Sequence, residues 1–206
     1  MHDERIQWAL NQCLLEDYFL NEAQTYTLEE KKDTGRSELQ VHIANENLCV
    51  SDFDSKKKCG FFRQESTFGF QKSVDHIIFE KQDTGWVLHL IEMKSTVGAK
   101  TWFSIKAKIR TSYFTALALA NVLGITIIKV HTYTTFEEEK FTPKSQTVNP
   151  ATLHHLTGKL AIDPKSDEWD KEKILINVGT QISFPHKAIK MNRSEDNSRL
   201  LGALTL

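Results

Sequence analysis

Residues 74–94 read VDHIIFEKQDTGWVLHLIEMK, and they spell two strands around one turn. Val74 to Glu80 is β-branched and aromatic, Gln82-Asp83-Thr84-Gly85 is turn chemistry, and Trp86 to Lys94 is a second strand-forming run. Alternation puts Trp86, Leu88, Leu90, Glu92 and Lys94 on one face of the second strand, and Asp75, Ile77 and Phe79 on one face of the first. An even loop, either Asp83-Thr84 or Gln82 to Gly85, sets Asp75 directly opposite Glu92. Two carboxylates opposed at Cβ separations of about 4.5–5.5 Å destabilise a sheet unless something offsets their repulsion. A protonated carboxyl, a nearby lysine or a bound divalent cation would each do so. A hard cation with oxygen ligands at about 2.0–2.1 Å fits between them, which is the Mg²⁺ pattern. Lys94, one pleat beyond Glu92, would lie beside it, able to hold a water or to stabilise charge on a phosphate oxygen. The plainer reading makes all three solvated strand-end residues. The apolar strands around the carboxylates and the basic helix that follows weigh against it.

Outward from the hairpin, Gly98 precedes a long helix over Lys100 to Leu123. Trp102, Ile105, Ile109, Tyr113, Leu117 and Ala120 form its stripe, and Gly124 is its C-cap. Ile125 to Tyr133 is a β-branched strand. Upstream, Ile6, Leu10, Cys13, Leu14 and Leu20 recur at helical spacing within 4–23. Leu39 to Ile43 reads as a short strand, Ser51 to Gly60 as a polar loop, and Phe61 to Phe70 as an aromatic strand. All four prolines fall after residue 142, where Asn149-Pro150 opens a short helix through Leu160 and Asp163-Pro164 turns into a charged helical stretch. Ile174 to Val178 is the last strand expected, and the tail from Ser194 has weak pattern. The order helix, strand, hairpin, long helix, strand predicts an α/β domain with a mixed central sheet flanked by helices. Residues 1–133 form the expected core, and residues 134–206 a C-terminal extension packed on it, a candidate dimer or partner surface.

Asp75, a 16-residue gap, Glu92-Met93-Lys94, a long helix and then a strand together resemble the PD-(D/E)XK nuclease superfamily. The resemblance spans residues 61–133 and implies a restriction-endonuclease-like core. It also implies Asp75 and Glu92 as Mg²⁺ ligands (Mn²⁺ as substitute), the Met93 carbonyl as a third, and Lys94 positioning the attacking water. Val74 stands where the motif's proline would be, a departure that touches no ligand. Many members add an upstream acid. Glu16, Glu22 and Glu65 are candidates, with Glu65 preferred for its place in the adjoining strand-like stretch.

The chain of 206 residues carries 26 basic and 27 acidic side chains, a balance that conceals segregation. Between Trp86 and His131 stand Lys94, Lys100, Lys106, Lys108, Arg110 and Lys129 against Glu92 alone, whereas residues 1–30 hold Arg5 against seven acids. Lysine and arginine contacts to phosphate supply most sequence-independent affinity for DNA. Lys100, Lys106 and Arg110 are therefore candidate substrate contacts, with Lys106 the helix residue expected to reach the active site. Lys56-Lys57-Lys58 and the cluster His186-Lys187, Lys190 and Arg193 are weaker candidates.

Other chemistries find less support. Cys13, Cys49 and Cys59 form no CxxC pair and read as reduced thiols. His154-His155 lacks metal-ligand spacing, and Gly98-Ala99-Lys100-Thr101 is a fragment of a P-loop only. His76 and His89 fall on the hairpin face opposite the acidic pair. No signal peptide and no membrane span are read, so a cytoplasmic location is expected. The expectation is a metal-dependent nuclease acting on DNA, with RNA possible as substrate. Such an enzyme suits defence against mobile elements or genome maintenance, and a homodimer is one expected form. The alternative is a non-catalytic subunit that binds nucleic acid or protein.

Overall fold

Both strands of the 74–94 hairpin are buried on both faces, which makes them the middle of a sheet rather than its rim. The computed structural model describes residues 4–15, 18–32, 35–56, 62, 70–141 and 164–206. Among these the elements run α1 (Glu4–Gln12), β1 (Thr25–Lys32), β2 (Gly35–His42), β3 (Asn47–Val50), β4 (His76–Gln82), β5 (Gly85–Glu92), β6 (Thr96–Gly98) and α2 (Ala99–Leu123). They continue with β7 (Ile127–Phe136), β8 (Glu138–Lys140), α3 (Pro164–Asp170), β9 (Lys173–Asn177), β10 (Gln181–Lys190), β11 (Asn192–Arg193) and β12 (Arg199–Thr205).

The main sheet has the order β3-β4-β5-β7-β10-β9. β7 is parallel to both β5 and β10 and the other pairs are antiparallel, so the sheet is mixed and the protein is α/β. Parallel neighbours need a crossover, and α2 supplies it between β5 and β7. The hairpin turn holds two residues, with Gln82 opposite Gly85 and His76 opposite Ile91. One step further along that register, Asp75 faces Glu92.

Strand alternation then sorts the core into two. Ile77, Phe79, Leu88 and Leu90 face the helix layer, where they meet Trp102, Ile105 and Ile109 of α2. Ile78, Ile91 and Met93 face the other way, against Tyr26, Leu28, Leu39 and Val41 of a second sheet ordered β1-β2-β12-β11. The architecture is thus helices, mixed sheet, second sheet. Gly124 caps α2 in the left-handed region, at φ 73°, with its N–H returning to Ala120 and Asn121 carbonyls.

Several elements differ from expectation. The first helix stops at Gln12 rather than continuing to 23, and Leu20 beyond it bridges Cys49 on β3. β1, β3, β10 and β12 and the short β6, β8 and β11 are not among the expected strands, and β2 is longer than the expected strand at 39–43. The segment after residue 134 places β9 and β10 in the main sheet and β11 and β12 in the second. The expected helix at 150–160, most of the expected strand at 61–70, and Cys59, Lys57-Lys58 and His154-His155 lie outside the described residues. Among the described residues no helix is long and apolar enough to cross a membrane.

Candidate functional site

The site forms where β5 ends. Asp75, immediately before β4, is 6% exposed and Glu92, the last residue of β5, is fully buried. The Asp75 carboxylate is aimed by the backbone: its Oδ2 accepts the Met93 N–H at 2.6 Å, while the Asp75 carbonyl accepts from Phe53 N–H. Val74, just before it, donates its N–H to Ser112 Oγ on α2 at 2.8 Å, which pins this end of β4 against the helix. Beyond the strand, Thr135 Oγ1 accepts the Lys94 N–H at 2.9 Å and donates to the Lys94 carbonyl at 3.2 Å. One hydroxyl therefore clamps both backbone groups of Lys94.

Oxygens from several elements converge on the Lys94 ammonium. Lys94 Nζ lies 2.6 Å from Glu92 Oε1 and donates to the Met93 carbonyl at 2.6 Å, with Asp75 Oδ2 at 3.9 Å and Glu30 Oε1 at 3.7 Å. A second ammonium enters from the helix. Lys108 Nζ stands 2.7 and 3.0 Å from the two Glu92 oxygens and 3.4 Å from Asp75 Oδ1. Glu92 Oε1 is buried and makes no hydrogen bond of good angle, so it is held by charge alone.

Burial and the facing Asp75 push the Glu92 carboxyl up to about 7 from an ordinary 4.5, outweighing both lysines. Burial works against the Lys94 ammonium, yet Glu92 and Asp75 prevail and hold it above its ordinary value. A carboxyl that binds its proton more tightly when folded lowers stability as pH rises from its unfolded to its folded value. In metal-free buffer, raising the pH from about 4.5 to about 7 should cost the wild-type protein about 3 kcal/mol relative to Glu92→Gln, with no further loss above. Parallel thermal melts of the two proteins across that window check this; equal slopes would contradict it.

The structure brings Asp75, Glu92, Met93 and Lys94 together as the strand register requires, and distributes the helix cations differently. Lys106 does not reach the site. It pairs with buried Glu168 at 2.7 Å, beside the Trp102 Nε1 that donates to the same carboxylate at 3.3 Å. Two helical steps turn a side chain by about 200°, so Lys108 points where Lys106 cannot. Arg110 is buried against the Phe70 ring, 5.5 Å from its centroid, and reaches the Asn177 carbonyl. Lys100 remains exposed in the first turn of α2. The basic stretch is therefore mostly spent on internal partners.

The acid from upstream that approaches the site is Glu30 of β1, whose Oε1 stands 3.7 Å from Lys94 Nζ. Glu22 is exposed at the other end of that strand, near Tyr26, and Glu16 and Glu65 lie outside the described residues. On the opposite hairpin face His89 bridges Tyr133 (3.0 Å) and Glu80 (3.1 Å), a buried structural network, and the ring of buried His76 accepts the Asp52 N–H.

No family model, curated protein or solved structure matches this chain. The site must be judged on its own chemistry. Among the described residues no cluster of three or more histidine, cysteine, aspartate or glutamate side chains is arranged to hold a metal ion. The available donors are two carboxylates and the Met93 carbonyl, already gathered around a cationic group. Mg²⁺ characteristically takes one or two carboxylates and keeps several waters for substrate to replace, so this sparse oxygen set fits it.

Proposed function

We propose that the chain is a Mg²⁺-dependent nuclease of PD-(D/E)XK type, with a restriction-endonuclease-like core, hydrolysing phosphodiester bonds in DNA. One observation carries the reading: two buried carboxylates opposed across a hairpin, with Lys94 seated among their oxygens. Such an arrangement is costly for a fold to keep without a use for it. Asp75, Glu92 and the Met93 carbonyl would hold the cation, which when bound supplies Lewis acidity toward the scissile phosphate and its attacking water. Lys94, fixed by Thr135 through its backbone and by Glu92 through its side chain, orients that water toward phosphorus. Lys108, which stands against Glu92 and Asp75 from the helix side, would be placed to neutralise charge gathering on the phosphate oxygens. Water loses a proton to solvent as it adds to phosphorus, the bond to the leaving oxygen breaks and that oxygen takes up a proton from solvent, and no residue is covalently modified. A role in defence against mobile elements or in genome maintenance follows from the resemblance alone.

A second reading draws on the same lysines. Because two ammonium groups already neutralise the acidic pair, the site is also compatible with a non-catalytic subunit that binds nucleic acid or protein. Purified protein incubated with plasmid, single-stranded DNA and RNA separates the two. Cleavage that requires Mg²⁺ or Mn²⁺ and stops with chelator is the expected result. Absence of metal-dependent cleavage on all three substrates, under conditions where the protein still binds nucleic acid, would favour the subunit.

A further inference from the structure

The internal pairing of Lys106, Lys108 and Arg110 leaves the helix a poor bed for a polyanion, whereas other cations line a cleft next to the site. A cavity of about 310 Å³ opens beside it, lined by Glu30 and by Ser95, the residue after Lys94. Three arginines from distant segments line it as well: Arg36 of β2, Arg193 of β11 and Arg199 of β12. Their side chains are 45%, 54% and 43% exposed. Lys190 lies alongside, donating to the Glu137 carbonyl.

We propose that this arginine-lined cleft, rather than the surface of α2, is the track for the substrate's phosphodiester backbone as it leaves the scissile position. The inference rests on the nuclease reading above. Each guanidinium already has a carboxylate partner: Arg193 forks onto Glu137, Nη2 to Oε2 at 2.8 Å; Arg199 reaches Glu38 at 2.7 Å; Arg36 shares Glu38 at 3.3 Å and also meets Glu29. Those pairs hold the forks in place without consuming them. Exposed ion pairs are weak and screened by salt, and a guanidinium has five N–H donors, of which Arg193 gives two to Glu137. A backbone phosphate can therefore add to, or displace, the carboxylate. Glu30, Glu137 and Glu138 border the same cleft and oppose a polyanion, so the track should be tuned by acids as well as by arginines.

The test is fluorescence anisotropy with a labelled DNA duplex, the matching single strand and an RNA of the same sequence. Binding is measured without added metal, and again with Mg²⁺ in the Lys94→Ala background. Arg193→Ala and Arg199→Ala are each expected to weaken binding about tenfold regardless of sequence, and to make the salt dependence shallower by about one phosphate contact. Arg193→Lys and Arg199→Lys, which keep the charge and guard against a folding defect, should retain most of the salt slope. Glu137→Gln should tighten binding several-fold. The proposal falls if the arginine variants bind as wild type while Lys100→Ala weakens binding, because the track then runs over the helix side. That result leaves the nuclease reading standing when wild-type protein still cleaves. Loss of both binding and cleavage in the wild type overturns the two together.

Discussion

Glu92→Gln and Lys94→Ala are each expected to lower metal-dependent cleavage by about a thousandfold, while the protein stays folded and still binds nucleic acid. The magnitude follows from where the two groups sit. Glu92 is the fully buried member of the acidic pair and touches both ammonium groups, so its oxygens define the point where positive charge can gather. Glutamine keeps the volume and removes the charge, which separates loss of chemistry from loss of packing. Lys94 has its backbone clamped by Thr135, so alanine there should remove the ammonium without moving the strand end. Asp75→Asn belongs to the same series, since the asparagine carbonyl oxygen can still accept the Met93 N–H. Initial rates on plasmid at fixed Mg²⁺, with circular dichroism as a folding control, provide the measurement. If any of the three variants keeps wild-type cleavage, the catalytic assignment is wrong.

The second large effect concerns Lys108, and it is a stability effect before it is a kinetic one. Lys108→Met should destabilise the metal-free protein by about 2–3 kcal/mol, because Glu92 and Asp75 lose one of their two counter-charges in a buried setting. The figure is below that for breaking a fully buried pair, since Lys94 remains and Lys108 is itself partly exposed. For a chain of this size that corresponds to a fall of about 5–10 °C in melting temperature. Mg²⁺ should restore most of it, because a ligand that binds only the folded state stabilises by mass action, and the cation no longer competes with an internal ammonium. Thermal melts of wild type and variant, with and without Mg²⁺, decide the point. A metal-induced shift no larger in the variant than in the wild type would show that Lys108 does not compete for the site.

The acidic pair was legible because strand geometry is discrete. A two-residue turn and a period of two leave one partner for Asp75, and that partner is Glu92. The helix lysine was not legible for a related reason. The apolar arc of α2 has two borders, one carrying Lys106 beside Trp102 and the other carrying Lys108 beside Ser112, and periodicity alone does not say which border meets the hairpin. Glu30 was missed because β1 reads TYTLEEKK, in which inward-facing Tyr26 and Leu28 give way to charge. Its approach to Lys94 depends on a second sheet built by pairing residues far apart in the chain, which local pattern does not encode. The charge count was correct as a count, but it carried no information on which cations would be neutralised by Glu168, Asp75 and Glu92.

The parallel pairing of β12 with β2 also has a consequence in time. Translation delivers Asp75, Glu92, Lys94 and Lys108 long before Arg199 and the strand that follows it. Until β12 emerges, β2 lacks one of its two neighbours, and the sheet that presents Glu30 to Lys94 is unfinished. A chain in which β12 has not yet paired with β2 would thus hold the hairpin acids and the helix without the completed cleft. If the proposed cleft guides the substrate, its assembly depends on the pairing of β12 with β2 and not on the hairpin alone.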